Sequence, residues 1–97
     1  MTDLYTDGPA EANKTRAFWA LAALEAFGLK TGQNYSDGTL GMGEDALGEI
    51  AGDLLANVFH LARFNSVDPD SIVRSGYLHF EAEVEEESEE EAEKVDG

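Results

Sequence analysis

Four polar residues within one stretch have the types and the spacing to do chemistry. Glu49, Asp53, Asn57 and His60 follow one another at intervals of four, four and three. On a helix that spacing makes a single polar stripe. Two carboxylates one turn apart, with an imidazole close by, can hold a divalent cation such as Mg²⁺; Glu49 and Asp53 would be its ligands. The same stripe lies opposite Leu54, Val58 and Leu61, where an amphipathic helix meets solvent. A solvated face explains these residues with no metal and no cofactor, and is the reading adopted.

The other reactive types are scattered. His79 stands one helical turn before Glu83, which suits a surface His–Glu contact. Neither histidine has a nucleophile and an orienting third group beside it, so no catalytic residue is assigned. Arg63 and Arg74 are two of six cations; they suit local carboxylates, and they could hold a phosphate. Gly38, Gly41 and Gly43 invite comparison with a phosphate loop. No strand pattern precedes them and no Gly-Lys-Ser/Thr follows, so the context for that chemistry is missing. Trp19, alone in an apolar helix, reads as core.

The charge balance narrows the function further. The 97 residues carry 21 acids against 6 Lys+Arg, for a net charge of −15. Direct attraction to nucleic acid or to an anionic membrane needs the opposite sign. With no Cys, disulfides, thiolate zinc and thiol catalysis are excluded. Met1 to Ala10 has neither a basic start nor an apolar run, so no signal peptide is expected. Ala17 to Leu29, the longest apolar-rich stretch, is too short to span a bilayer and contains Glu25. The expectation is a soluble cytoplasmic protein.

Half the acids crowd into one end. Residues 81 to 97 hold ten (Glu81, Glu83, Glu85, Glu86, Glu87, Glu89, Glu90, Glu91, Glu93 and Asp96) against Lys94 alone. A block of like charge repels itself and stays solvated, which predicts a disordered tail over 86–97. Such a tail serves either as a solubilising extension of the kind halophiles use, or as an anionic arm for a basic partner.

Three helices must position these groups. Asp7-Gly8-Pro9 is a start signal after an arm of residues 1–8, since Pro suits a first helical position. Ala10 to Lys30 is rich in Ala and Leu and apolar nearly all round, which predicts burial on more than one side. Gly32 is its stop. Residues 32–43 read as a Gly-rich loop, with Asp37-Gly38 able to close a small hairpin. A second helix runs from Glu44 to Arg63 or Asn65. Leu47, Ile50, Ala51, Leu54, Val58 and Leu61 form its buried face, with Leu55 and Ala62 beside it. Asp68-Pro69-Asp70 opens a third, whose Ile72, Val73, Tyr77, Phe80 and Val84 make a second apolar stripe. The short link at Phe64 to Val67 suggests that helices two and three pack antiparallel. Beyond Val84 the acids meet the negative end of the dipole, so fraying is expected there. The fold class is all-α: a small three-helix bundle over 9–85.

Two resemblances are carried by particular segments. Gly52-Asp53-Leu54-Leu55, then Leu61-Ala62-Arg63 and Asp68-Pro69 before a third helix, resembles the second half of MazG-like all-α nucleotide pyrophosphohydrolases. That likeness spans about 35 residues and implies carboxylates holding Mg²⁺ against a nucleoside triphosphate. Of the family's ligands, Asp53 carries over. Glu49 stands four residues upstream where the motif has three, and helix one offers Glu25 in place of Glu-Glu-x-x-Glu. Ala22-Ala23-Leu24-Glu25-Ala26-Phe27, Thr31-Gly32, Glu44-Asp45-Ala46-Leu47, Asp53-Leu54-Leu55 and His79-Phe80-Glu81-Ala82-Glu83 are similar to small acidic proteins of phages and mobile elements. This second resemblance covers about residues 15 to 83 and implies an accessory protein with no established activity.

The function expected is therefore an interaction protein. It would block a basic, nucleic-acid-binding protein surface, as an anti-CRISPR-type protein or nucleic-acid mimic does. Its partner-binding residues would be Glu49, Asp53, Glu81, Glu83, Glu85, Glu86, Glu87, Glu89, Glu90 and Glu91. It would form a homodimer through Phe18, Trp19 and Leu21 of helix one, and touch neither membrane nor nucleic acid directly. The alternative is a MazG-like, Mg-dependent nucleoside triphosphate pyrophosphohydrolase whose missing ligands a dimer supplies.

Overall fold

The computed structural model describes residues 7–34 and 43–96, with side chains described as far as Glu91. Among the described residues the chain is all-α, as expected. Helix α1 spans Pro9–Thr31, α2 spans Glu44–Phe64 and α3 spans Pro69–Asp96. The hairpin expected at Asp37-Gly38 and most of the expected N-terminal arm lie outside the described residues.

Local chemistry sets the helix ends. Pro9 takes the first position of α1, where its missing N–H leaves no bond unmade. Glu11 lies in the first turn and Lys30 in the last, each matched to the dipole. At the other end Gly32 adopts φ +78° and the Gln33 N–H donates back to the Gly28 carbonyl at 3.0 Å. That is a Schellman stop, and glycine supplies its left-handed residue. Helix α2 ends the same way without a glycine. Ser66 adopts φ 59°, its N–H donates to Arg63 O, and the Val67 N–H donates to Ala62 O at 2.8 Å.

The chain divides into two compact units, and α1 contributes to both. In the unit Trp19–Pro69, Leu24 and Ile50 form the core, with Ile50 only 2% exposed. Leu21, Phe27, Ala51 and Leu54 pack against them. Each fully buried aliphatic side chain contributes on the order of 1.5–3 kcal/mol, so this core is small. It also covers less of α2 than the periodicity predicts. Leu47, Leu55 and Leu61 are exposed, and Ala62 is buried in their place. Contact with α1 is centred on Ile50 to Leu54, one short stretch of the predicted stripe, and Leu47 before it and Leu61 beyond it stay open.

The prediction for α1 is corrected in the same way. Phe18 and Trp19 are 67% and 60% exposed, so Trp19 is not core. They lie about 120° and 140° round the helix from Leu24, away from the single face that packs. Leu21, expected at a dimer interface, is partly buried against the Leu24–Ile50 core of its own chain.

In the other unit, Met1–Phe18 with Asp70–Gly97, the first half of α1 lies against the second half of α3. The Ala10 N–H donates to Glu90, Asn13 Nδ2 to Glu87, and Arg16 pairs with Glu83. Partner numbers fall as α1 numbers rise, so the two segments are antiparallel. Ala12 is wholly buried in this unit.

The backbone of α3 is helical past Val84 and through the acidic stretch to Asp96. Polar donors of α1 hold Glu83, Glu87 and Glu90, and so draw the acids into the fold instead of leaving them to repel one another. The apolar stripe of α3 exists, but Val73, Tyr77, Phe80 and Val84 are all exposed.

Candidate functional site

The acidic half of α3 has two sides, set by what α1 offers it. One side faces α1. Arg16 Nε lies 3.3 Å from Glu83 Oε2, and Asn13 Nδ2 donates both to Glu83 O at 3.0 Å and to Glu87 Oε1 at 2.9 Å. The Ala10 N–H donates to Glu90 Oε2 at 3.1 Å. A carboxylate at this position meets the first turn of α1, where unsatisfied N–H groups and the dipole both favour negative charge. Asn13 is itself braced, its Oδ1 accepting from Arg16 Nη1 at 2.6 Å.

The other side faces solvent. Glu81, Glu85, Glu86, Glu89 and Glu91 are exposed, whereas Glu83, Glu87 and Glu90 are only partly so. Glu81, Glu85 and Glu89 recur every four residues and therefore form a row with a rise of about 6 Å per step. Eight carboxylates lie between Glu81 and Glu91. At about 1.5 Å per residue that is one negative charge per roughly 2 Å of helix axis. Duplex DNA carries one per about 1.7 Å.

The α2 residues are placed differently. Glu49 and Asp53 are exposed, and Asp53 Oδ2 accepts a hydrogen bond from Gln33 Nε2 at 2.8 Å. Among the described residues no group of three or more His, Asp or Glu side chains could hold a metal ion. Asn57 and His60 share the exposure of the carboxylates. Arg63 lies over the Phe64 ring, 5.1 Å from its centroid.

Asn13 and Arg16 were not singled out by sequence reasoning. Their signal is visible in hindsight: polar groups three apart, on the early part of a helix otherwise rich in apolar residues. Such groups must face solvent or a polar partner, and the acids of α3 are that partner. Among the described residues no helix is long and apolar enough to cross a membrane. Comparison with protein-family models, with curated proteins and with solved structures finds no match.

Proposed function

We propose that the protein is a non-catalytic interaction protein that docks on a basic, normally nucleic-acid-binding surface of a partner protein and blocks it. The observation that carries this reading is the exposed row Glu81, Glu85 and Glu89, with Glu86 and Glu91 beside it, on a helix whose opposite acids are held by α1. A rigid helix presents these five carboxylates at about one charge per 3 Å of axis, roughly half the density of duplex DNA. A basic groove built for phosphates can pair with them, and the long-range field speeds encounter. Glu49 and Asp53 add charge on α2. The protein acts in the cytoplasm as a phage-type accessory protein, free of membranes and of direct contact with nucleic acid. It forms a homodimer through Phe18 and Trp19, the exposed aromatic pair of α1.

The test is a pull-down with the whole chain from a host lysate, washed at rising salt. The expected catch is a nucleic-acid-binding protein that leaves at raised ionic strength and is displaced by a competing oligonucleotide. A catch indifferent to both salt and oligonucleotide contradicts the reading.

A further inference from the structure

The apolar stripe of α3 calls for an explanation, because its large side chains stand exposed among the described residues. Val73 is 37% exposed, Tyr77 62%, Phe80 58% and Val84 44%. Their spacing is four, three, four, the seam of a helix that packs lengthwise against another helix. At its acidic end the seam opens into a groove of about 340 Å³, with Ala17, Phe80 and Val84 among its walls and Arg16 and Glu83 at its polar side. Large aromatic side chains left in water along such a seam mark an interaction face.

Charge decides what fits. One flank of the seam carries Glu81 and Glu85, both exposed, with no hydrogen bond or ion pair among the described residues. On the other flank Glu83 is already engaged by Arg16. A second copy laid parallel along this seam would set acidic flank against acidic flank; laid antiparallel it would set Arg74 beside the other copy's Glu81 and Glu85, and there the net charge of −15 on each chain opposes the pairing. Like charges beside a coiled-coil seam select against that pairing, and opposite charges select for it. Arg74, the one cation on the acidic flank, stands at the opposite end from Glu85 and gives the seam a direction.

We infer that the Val73–Val84 face of α3 receives a basic amphipathic helix of the partner protein. This rests on the proposed docking to a basic surface and specifies its form. The helix carries apolar residues at four-three-four spacing, Lys or Arg beside them opposite Glu81 and Glu85, and a neutral or acidic residue opposite Arg74. A seam from Val73 to Val84 is about 16 Å long, so three turns of partner helix suffice. The aromatic side chains supply affinity, while the carboxylates supply selection and approach.

Three synthetic helices of about 18 residues serve as probes, five turns each. One has Leu at the seam positions and Lys beside them. The second keeps Leu and replaces Lys with Glu. The third keeps Lys and replaces Leu with Ser. Each is titrated into the whole chain by calorimetry, and again into the variant carrying Tyr77→Ser and Phe80→Ser. Both side chains are mostly exposed, so the variant should keep its helical circular dichroism.

The expected result is binding of the Lys/Leu helix, weakened at least about tenfold by the double substitution. Binding of the Glu/Leu helix should be absent, and should be gained when Glu81→Lys and Glu85→Lys are introduced. Equal binding of the Lys/Ser and Lys/Leu helices overturns this inference and leaves the basic-surface reading standing. Failure of both Lys helices to bind with any salt dependence overturns the two together. Equal binding of the Glu/Leu helix to the unmodified chain overturns the choice of a basic occupant. Loss of self-association in the Tyr77→Ser and Phe80→Ser variant assigns the seam to a second copy and overturns it as well.

Discussion

Glu90 Oε2 accepts the backbone N–H of Ala10 at 3.1 Å, across 80 positions of sequence. An acid of the far end of α3 thus meets one of the free N–H groups of α1's first turn. Asn13 and Arg16 continue the contact along the helix pair to Glu87 and Glu83. The acidic segment is therefore ordered from outside itself, by α1.

That relationship predicts how the segment comes loose. Asn13→Ala removes the donor to both Glu83 O and Glu87 Oε1. Two part-buried hydrogen bonds are worth about 1 kcal/mol each, more where one partner is charged. Amide exchange over residues 83–91 should accelerate in the variant while exchange around Ile50 stays unchanged. Equal protection in both proteins would mean that the acidic helix stands without α1.

The end of α2 predicts a gain. Ser66 holds φ 59° in a turn whose left-handed residue is usually glycine. Ser66→Gly removes the Cβ penalty of that conformation and should stabilise by about 0.5–1 kcal/mol. For a domain of this size the melting temperature should rise by roughly 4 °C. Ser66→Val should lower it, and a fall on Ser66→Gly would show that the turn is held by other means.

The helix glycines should respond unequally to alanine. A Cβ at Gly48 or Gly52 meets nothing within 4 Å, so alanine there should gain about 0.5–1 kcal/mol of helix propensity. At Gly28 a Cβ would collide with the Asn34 carboxamide, whose Nδ2 donates to Glu25 O at 2.9 Å. Gly28→Ala should forfeit that bond and melt below Gly52→Ala. Equal melting temperatures would contradict the close approach.

Self-association should carry the mark of the charge. Two chains of −15 repel, so a dimer built on Phe18 and Trp19 should tighten as salt rises. Trp19→Ser should weaken it. Sedimentation showing monomer alone at about 100 µM, over all salt concentrations, contradicts the dimer.

How much of this was legible in the sequence follows from what each feature depends on. The helix limits rest on local chemistry, and Pro9, Gly32 and Asp68-Pro69 announced them within a residue or two. Ile50 and Leu54 were legible from their period. The openness of Tyr77, Phe80 and Leu61 was not, because periodicity reports which residues share a face and never whether anything covers it. The contacts of the acidic helix were hidden for a related reason. Self-repulsion within residues 81–97 is a local property, while the donors that offset it, Ala10, Asn13 and Arg16, lie some 70 to 80 positions away. For the exposed carboxylates the types and spacing were plain, and only the structure separates Glu81, Glu85 and Glu89 from the engaged Glu83, Glu87 and Glu90.

The central claim is that exposed charge on α3 drives docking. It is tested most directly by association kinetics with the captured partner. The unmodified chain is compared with Asp53→Ala and with a variant carrying the exposed Glu81, Glu85, Glu86, Glu89 and Glu91 all changed to Gln. The five-Gln protein should associate at least about tenfold more slowly at low salt, with a flattened salt dependence, while Asp53→Ala should bind as the unmodified chain does. Association unchanged in the five-Gln protein, with pyrophosphate release from nucleoside triphosphates in the unmodified chain that Asp53→Ala abolishes, would contradict the account and establish the hydrolase in its place.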